Sequence, residues 1–261
     1  MSGRRIVITS GKGGVGKTTT TANLGVALAK RGKRVVLVDT DIGLRNLDLV
    51  LGVEKRIVFD LVEVIEGRCS LKSALIRDKR LENLSILPAA QTREKEAIGG
   101  EQLLAVTNEL AETADVVLID CPAGIEHGFR TALASAQEAI VVTTPEVSAI
   151  RDADRVIGKL AAEKMPIRLI VNRVRPEMVK SGDMLSVEDV CDVLAVELLG
   201  VVPDDEDVID TTNRGEPIAL DPTKRLAAIY DKIARRLDGE QVPFTNLDAP
   251  SLLGRFMTMW K

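Results

Sequence analysis

The sequence predicts an α/β fold: a doubly wound, mostly parallel β-sheet flanked by helices, followed by a C-terminal amphipathic tail. Three observations carry this expectation. Short β-branched, nearly continuous apolar runs recur along the chain, as strands buried on both faces do. Segments of helical period separate them, which is the pattern of βαβ units. Between the first run and the first helical segment lies a glycine-rich stretch that ends in Gly16-Lys17-Thr18.

Taken in order, strands are expected at residues 5–9, 34–39, 84–87, 116–120, 139–143, 167–172 and 198–202. Helices are expected at 18–31, 100–112, 148–163, 187–196 and 223–238. Such a sheet binds its ligands at the carboxyl ends of the strands. No internal repeat is present. The one compositional break, residues 239–250, holds two prolines with Asn246 and Asp248 and reads as a flexible tether. The expected organisation is therefore a domain over 1–238, a tether over 239–250 and a tail over 251–261.

With 261 residues, 45% hydrophobic and 28% charged, the composition is that of a soluble globular protein with ample chain for a large core. Aromatic residues make up only 2%, so the core must be aliphatic, and Phe244, Phe256 and Trp260 fall near the end, where a core is not expected. A net charge of −4 argues against non-specific nucleic-acid binding as the main activity, so no specific nucleic-acid partner is expected. Cys69, Cys121 and Cys191 are far apart and lack C-x-x-C spacing, which argues against a disulfide framework or a thiolate zinc site. The single histidine, His127, excludes a site needing two imidazoles. No run of 18 apolar residues and no signal-peptide pattern occurs, so a cytosolic chain is expected.

Directly after the first strand comes Ser10-Gly11-Lys12-Gly13-Gly14-Val15-Gly16-Lys17-Thr18-Thr19, which matches G-x-x-x-x-G-K-[ST] in the strand, loop and helix setting that the motif requires. The chemistry explains the residues. Glycines let backbone N–H groups curl around phosphate oxygens, and the helix N-terminus adds its dipole. Lys17 can neutralise β/γ-phosphate charge and Thr18 can ligate Mg²⁺. Lys12 is a second cation at the start of the loop, poorly placed for the phosphates of its own chain; an ordinary exposed lysine is the plainer alternative.

The second strand ends in Asp39-Thr40-Asp41, and the fourth in Asp120-Cys121-Pro122-Ala123-Gly124. Carboxylates at strand ends beside a phosphate loop can hold metal-bound waters or orient an attacking water. They can also simply cap the strand exits. The coincidence with the loop assigns Asp120 to water-mediated Mg²⁺ coordination and Asp39 to support of the same site. Spacing does not separate Asp39 from Asp41. Asn172 and Asp204 end two later strands, where a nucleotide base would lie, although each is also an ordinary turn signal.

The Lys12-Gly-Gly-x-Gly-Lys17-Thr18 pattern resembles the deviant Walker A ATPases, the family of MinD, ParA and the nitrogenase iron protein. The resemblance implies an ATP hydrolase with ATP and Mg²⁺ at the site, an ATP-bound homodimer, and Lys12 crossing to the partner's phosphates. It also implies that Asp41 positions the hydrolytic water and that Asn172 and Asp204 contact adenine. Cys121 lacks a second matching cysteine, so no iron–sulfur cluster is expected. Residues 39–49, 86–92, 121–125 and 145–148 look most like the septum-site-determining branch. That branch implies a role in cell division, with a MinC-type inhibitor and a MinE-type activator as partners.

In the tail, placing residues at 100° apart gathers Leu252, Leu253, Phe256, Met257, Met259 and Trp260 in an arc of about 160°. Arg255 and Lys261 fall on the opposite side. At roughly 16 Å the segment is too short for a bilayer of about 30 Å, so it is expected to lie in an anionic membrane interface. A last helix docked on the domain is the alternative. One tail should bind marginally, and two tails in a dimer should bind through avidity.

Overall fold

The computed structural model describes residues 2–93 and 98–245. Its strands are β1 (Arg4–Thr9), β2 (Val35–Asp39), β3 (Ile76–Arg77), β4 (Leu84–Leu87), β5 (Val116–Asp120), β6 (Glu138–Thr143), β7 (Ile167–Val174) and β8 (Glu197–Pro203). They form one sheet in the order β3-β4-β2-β5-β1-β6-β7-β8. Every pairing is parallel except β3 with β4. The doubly wound, mostly parallel sheet expected from the sequence is therefore the observed one. β3 is an addition: two residues are too few to display a period.

The longer helices are α1 (Lys17–Lys30), α5 (Gly100–Thr113), α7 (Val147–Ala162), α9 (Val187–Leu194) and α11 (Arg225–Leu237). They lie within two residues of the expected starts and ends. Between them stand α2 (Leu47–Leu51), α3 (Leu61–Ile65), α4 (Leu71–Ala74), α6 (His127–Ala134), α8 (Pro176–Ser181) and α10 (Asp207–Asn213). All but α6 run four to seven residues, too short for an apolar stripe to stand out, whereas α6, with eight, is as long as α9 and was not anticipated.

Alternation along the strands divides the core between the two faces of the sheet. Ile6, Ile8, Leu37 and Leu118 join Leu24, Leu28, Tyr230 and Ile233 of α1 and α11 on one side. Val7, Val38, Val117 and Val141 join Leu103, Ala132 and Leu160 of α5, α6 and α7 on the other. Burying each such aliphatic side chain contributes about 1.5–3 kcal/mol, so an almost ring-free composition suffices. Gly200 allows α11 to lie flat on β8, since a Cβ there would stand 2.5 Å from Ile233 Cγ1.

The tail residues Leu252, Leu253, Phe256, Met257 and Trp260 lie outside the described residues. Among the described residues, no helix is long and apolar enough to cross a membrane.

Candidate functional site

The central parallel strands end at one edge of the sheet, and the loop from Ser10 to Gly16 leaves β1 there and turns into α1. Gly14 and Gly16 take φ of 81° and 91°, left-handed values that side chains disfavour. Gly11 is required for another reason: a Cβ would stand 2.2 Å from the Asp152 carbonyl of α7. Ser10 Oγ donates to Lys12 O at 2.9 Å and Val15 is buried, so the exposed turn Lys12-Gly13-Gly14 is held at both ends. Helix α1 begins without a side-chain cap. Its first amides therefore remain open to an anion, and Lys17 and Thr18 stand in its first turn.

Opposite this helix start, Asp39 and Asp120 are register partners on β2 and β5, 0% and 1% exposed. Asp39 accepts from the amides of Asp41 at 2.9 Å and Leu47 at 3.2 Å. Asp120 accepts from the hydroxyl of Thr21 at 3.1 Å, with Thr18 beside it. Burial first, and the Asp120 charge second, push the Asp39 carboxyl up to about 8. Burial also raises Asp120, against the opposing pull of Lys17 and the two threonines, while the Asp41 charge adds to the negative field.

Two buried carboxyl groups beside a threonine hydroxyl form a hard oxygen donor set. Mg²⁺ fits these residues, because it binds through one or two carboxylates and takes its other ligands from phosphates and water. Among the described residues, no three His, Cys, Asp or Glu side chains are grouped as a closed metal cage.

A cavity of about 300 Å³ opens beside α1, lined by Gly16, Thr19, Asn172, Asp204, Ile209 and Tyr230 among others. Asn172 and Asp204 are thus brought to one place, yet each is already engaged. Asn172 Nδ2 donates to Val15 O at 2.8 Å, and a Cβ on Gly16 would meet the same nitrogen at 2.3 Å. This amide fixes the loop's curvature, a task that the strand-end position does not reveal. The Asp204 carboxylate accepts from Arg175 Nε at 2.7 Å. Arg175 and Ile209 were missed by sequence reasoning, and no motif marks them.

Lys12 points elsewhere. Its Nζ donates to Ser148 Oγ at 3.0 Å and lies 3.6 Å from Glu146 Oε2, at the start of α7. On the opposite flank, Arg45 takes φ of 45° and its Nε lies 2.9 Å from buried Asp48, which ties the loop after Asp41 to α2. Gly124 N donates to Ser10 O at 3.0 Å and joins the loop after β5 to the glycine loop. Burial pushes the Cys121 thiol up to about 12, and its Sγ donates to Pro122 O, so it behaves as a small packed residue.

Residues 6–218 match the family model described as the CobQ/CobB/MinD/ParA nucleotide binding domain. The chain is 57% identical over 248 residues to the septum site-determining protein MinD of Synechocystis, covering 94% of this chain and 93% of that protein. Its structure resembles the MinC:MinD cell division protein complex of Aquifex aeolicus, with a TM-score of 0.87, 50% identity, and coverage of 93% and 99% of the two chains. It also resembles the Pyrococcus horikoshii MinD complexed with Mg-ADP, with a TM-score of 0.82, 37% identity, and coverage of 90% and 96%.

Proposed function

The chain belongs to the MinD branch of the CobQ/CobB/MinD/ParA nucleotide-binding family, and on that premise we propose that it is an ATPase whose nucleotide state controls attachment to a membrane. The observation that carries the chemistry is the apposition of buried Asp39 and Asp120 to Lys17 and Thr18 at an uncapped helix start.

In this reading the amides of Gly11 to Thr19 cradle the phosphates and Lys17 neutralises their charge. Mg²⁺, held by Thr18 and supported by Asp39 and Asp120, supplies Lewis-acid stabilisation of the transferred phosphoryl group. Asp41 orients the attacking water. Asn172 and Asp204 border the base, with Asn172 acting largely through Val15. Lys12, engaged with Ser148 and Glu146 in the single chain, swings across a homodimer interface to stabilise charge on the partner's nucleotide.

Residues 1–238 form the ATPase domain, 239–250 the tether and 251–261 the membrane-targeting segment. The tail seats Leu252, Leu253, Phe256, Met257 and Trp260 in the anionic inner face of the plasma membrane. Two tails in an ATP-bound dimer hold where one does not. The attached dimer recruits a MinC-type inhibitor and blocks septum formation at improper sites. A MinE-type activator stimulates hydrolysis, and hydrolysis releases the protein.

The experiment is vesicle sedimentation with anionic lipid, comparing ATP, ADP and a chain ending at Asp248. Binding is expected only for the full chain with ATP. Equal sedimentation in all three arms would sink the reading.

A further inference from the structure

The outer strand β8 has a largely apolar groove beside it, of about 300 Å³, walled by Val179 of α8, Val187 of α9, and Leu198 and Val201 of β8, with Lys180, Ser186 and Glu188 also in its lining. The last two described residues, Phe244 and Thr245, form part of its lining. Their path is set by α11: Arg236 donates to Val242 O and Pro243 O, both at 2.8 Å, and its guanidinium lies 4.0 Å from the centre of the Phe244 ring. Lys232 Nζ donates to Thr245 Oγ1 at 3.1 Å. The chain is thus delivered to the groove with 16 residues still to come.

We infer that this groove is the docking site for the chain's own residues 246–261, which seat apolar tail side chains there when no membrane is present. The inference rests on the tail being the membrane anchor proposed above, and it adds the place where the anchor is kept. Position selects the occupant. A segment that starts at the rim meets the groove at an effective concentration of order mM, far above that of a second copy in dilute solution. The chemistry also matches, because Leu252, Leu253, Phe256 and Trp260 would otherwise stand in water, as would the aliphatic walls.

Docking then competes with lipid, and membrane affinity is reduced by the fraction of tails held in the groove. Val174 lines the groove, and the next residue, Arg175, lines the cavity beside α1 and pairs with Asp204.

Trp260 is the chain's single tryptophan, so its fluorescence reports the tail alone. The full chain is measured with ADP and no vesicles, against a free peptide of residues 246–261. Trp260 is expected to emit to the blue of the peptide and to resist acrylamide quenching. Val187→Glu places a carboxylate in the groove at the first position of α9, where a helix accepts acidic residues, so folding should be kept. It should return Trp260 to peptide-like quenching and raise affinity for anionic vesicles by about 3- to 10-fold.

Peptide-like quenching of the unsubstituted chain would overturn the proposal, as would shielding that Val187→Glu leaves intact. Shielding lost on dilution would assign the tail to another copy's groove and overturn it too. If Trp260 is shielded, Val187→Glu exposes it and neither protein binds vesicles, then the groove stands and the membrane reading falls.

Discussion

Asp39 and Asp120 face each other as register partners at the carboxyl ends of β2 and β5, both shut off from solvent. Burial, and then the Asp120 charge, hold the Asp39 carboxyl up to about 8, so near pH 7 it is largely protonated until a cation joins the pair. Asp39→Asn therefore changes little charge in the nucleotide-free protein and keeps the shape, leaving one amide acceptor where two carboxyl oxygens served. The lost hydrogen bond costs about 1 kcal/mol. The nucleotide-free protein should therefore melt within a few degrees of the unsubstituted chain. The added stability given by Mg-ATP should largely vanish; at 100-fold excess over Kd that increment is about 2.7 kcal/mol. A thermal shift series with and without Mg-ATP measures both, and an undiminished ATP shift would remove Asp39 from the metal site.

Lys12 is exposed and its bonds to Ser148 and Glu146 are solvent-facing, so Lys12→Ala should change stability by less than about 0.5 kcal/mol. Nucleotide binding should be retained, since Lys17 serves the phosphates of the same chain. ATP-dependent dimers, followed by light scattering, and turnover should both be lost. Dimers that persist with ATP would show that Lys12 does not act in trans.

Asn172→Ala tests whether this side chain shapes the loop. Removing it leaves the buried Val15 carbonyl without its donor, at a cost of about 1–3 kcal/mol. If Asn172 acts through the loop, ADP and GDP should both bind more weakly by a similar factor. If its main task is the adenine edge, ADP should suffer far more, and equilibrium titration of the two nucleotides separates the cases.

Local signals made the phosphate loop and the strand-end aspartates readable, because the motif is contiguous and the strands are long enough to show their period. The support that Asn172 gives to the loop was not readable, since its partner, Val15, is 157 positions away. Arg175 was hidden for the same reason, its role existing only when β7 and β8 lie side by side. Phe244 had no readable task because its contact, the Arg236 guanidinium, depends on the chain folding back along α11. The helices of four to seven residues were lost to length: one turn cannot display a stripe.

Acid sensitivity should trace to the other end of the strands. Glu138 on β6 accepts from Arg4 of β1 at 2.8 and 2.7 Å and from Arg168 of β7 at 3.2 Å, which ties three neighbouring strands together. The Arg4 hydrogen bond, more than burial opposes it, holds the Glu138 carboxyl below its ordinary value. A depressed carboxyl stabilises the fold fully above its unfolded pKa of about 4.3, and that stability is lost as pH falls through the lower folded value. Glu138→Gln keeps the shape, loses the charge and leaves two guanidinium groups short of their partner. It should lower stability by roughly 1–2 kcal/mol near pH 7. The difference between the two proteins should then shrink as pH drops below about 4, where Glu138 itself becomes neutral. Urea unfolding midpoints at pH 7, 5 and 3.5 measure this, and a difference that stays constant across the series would remove the charge of Glu138 from the account.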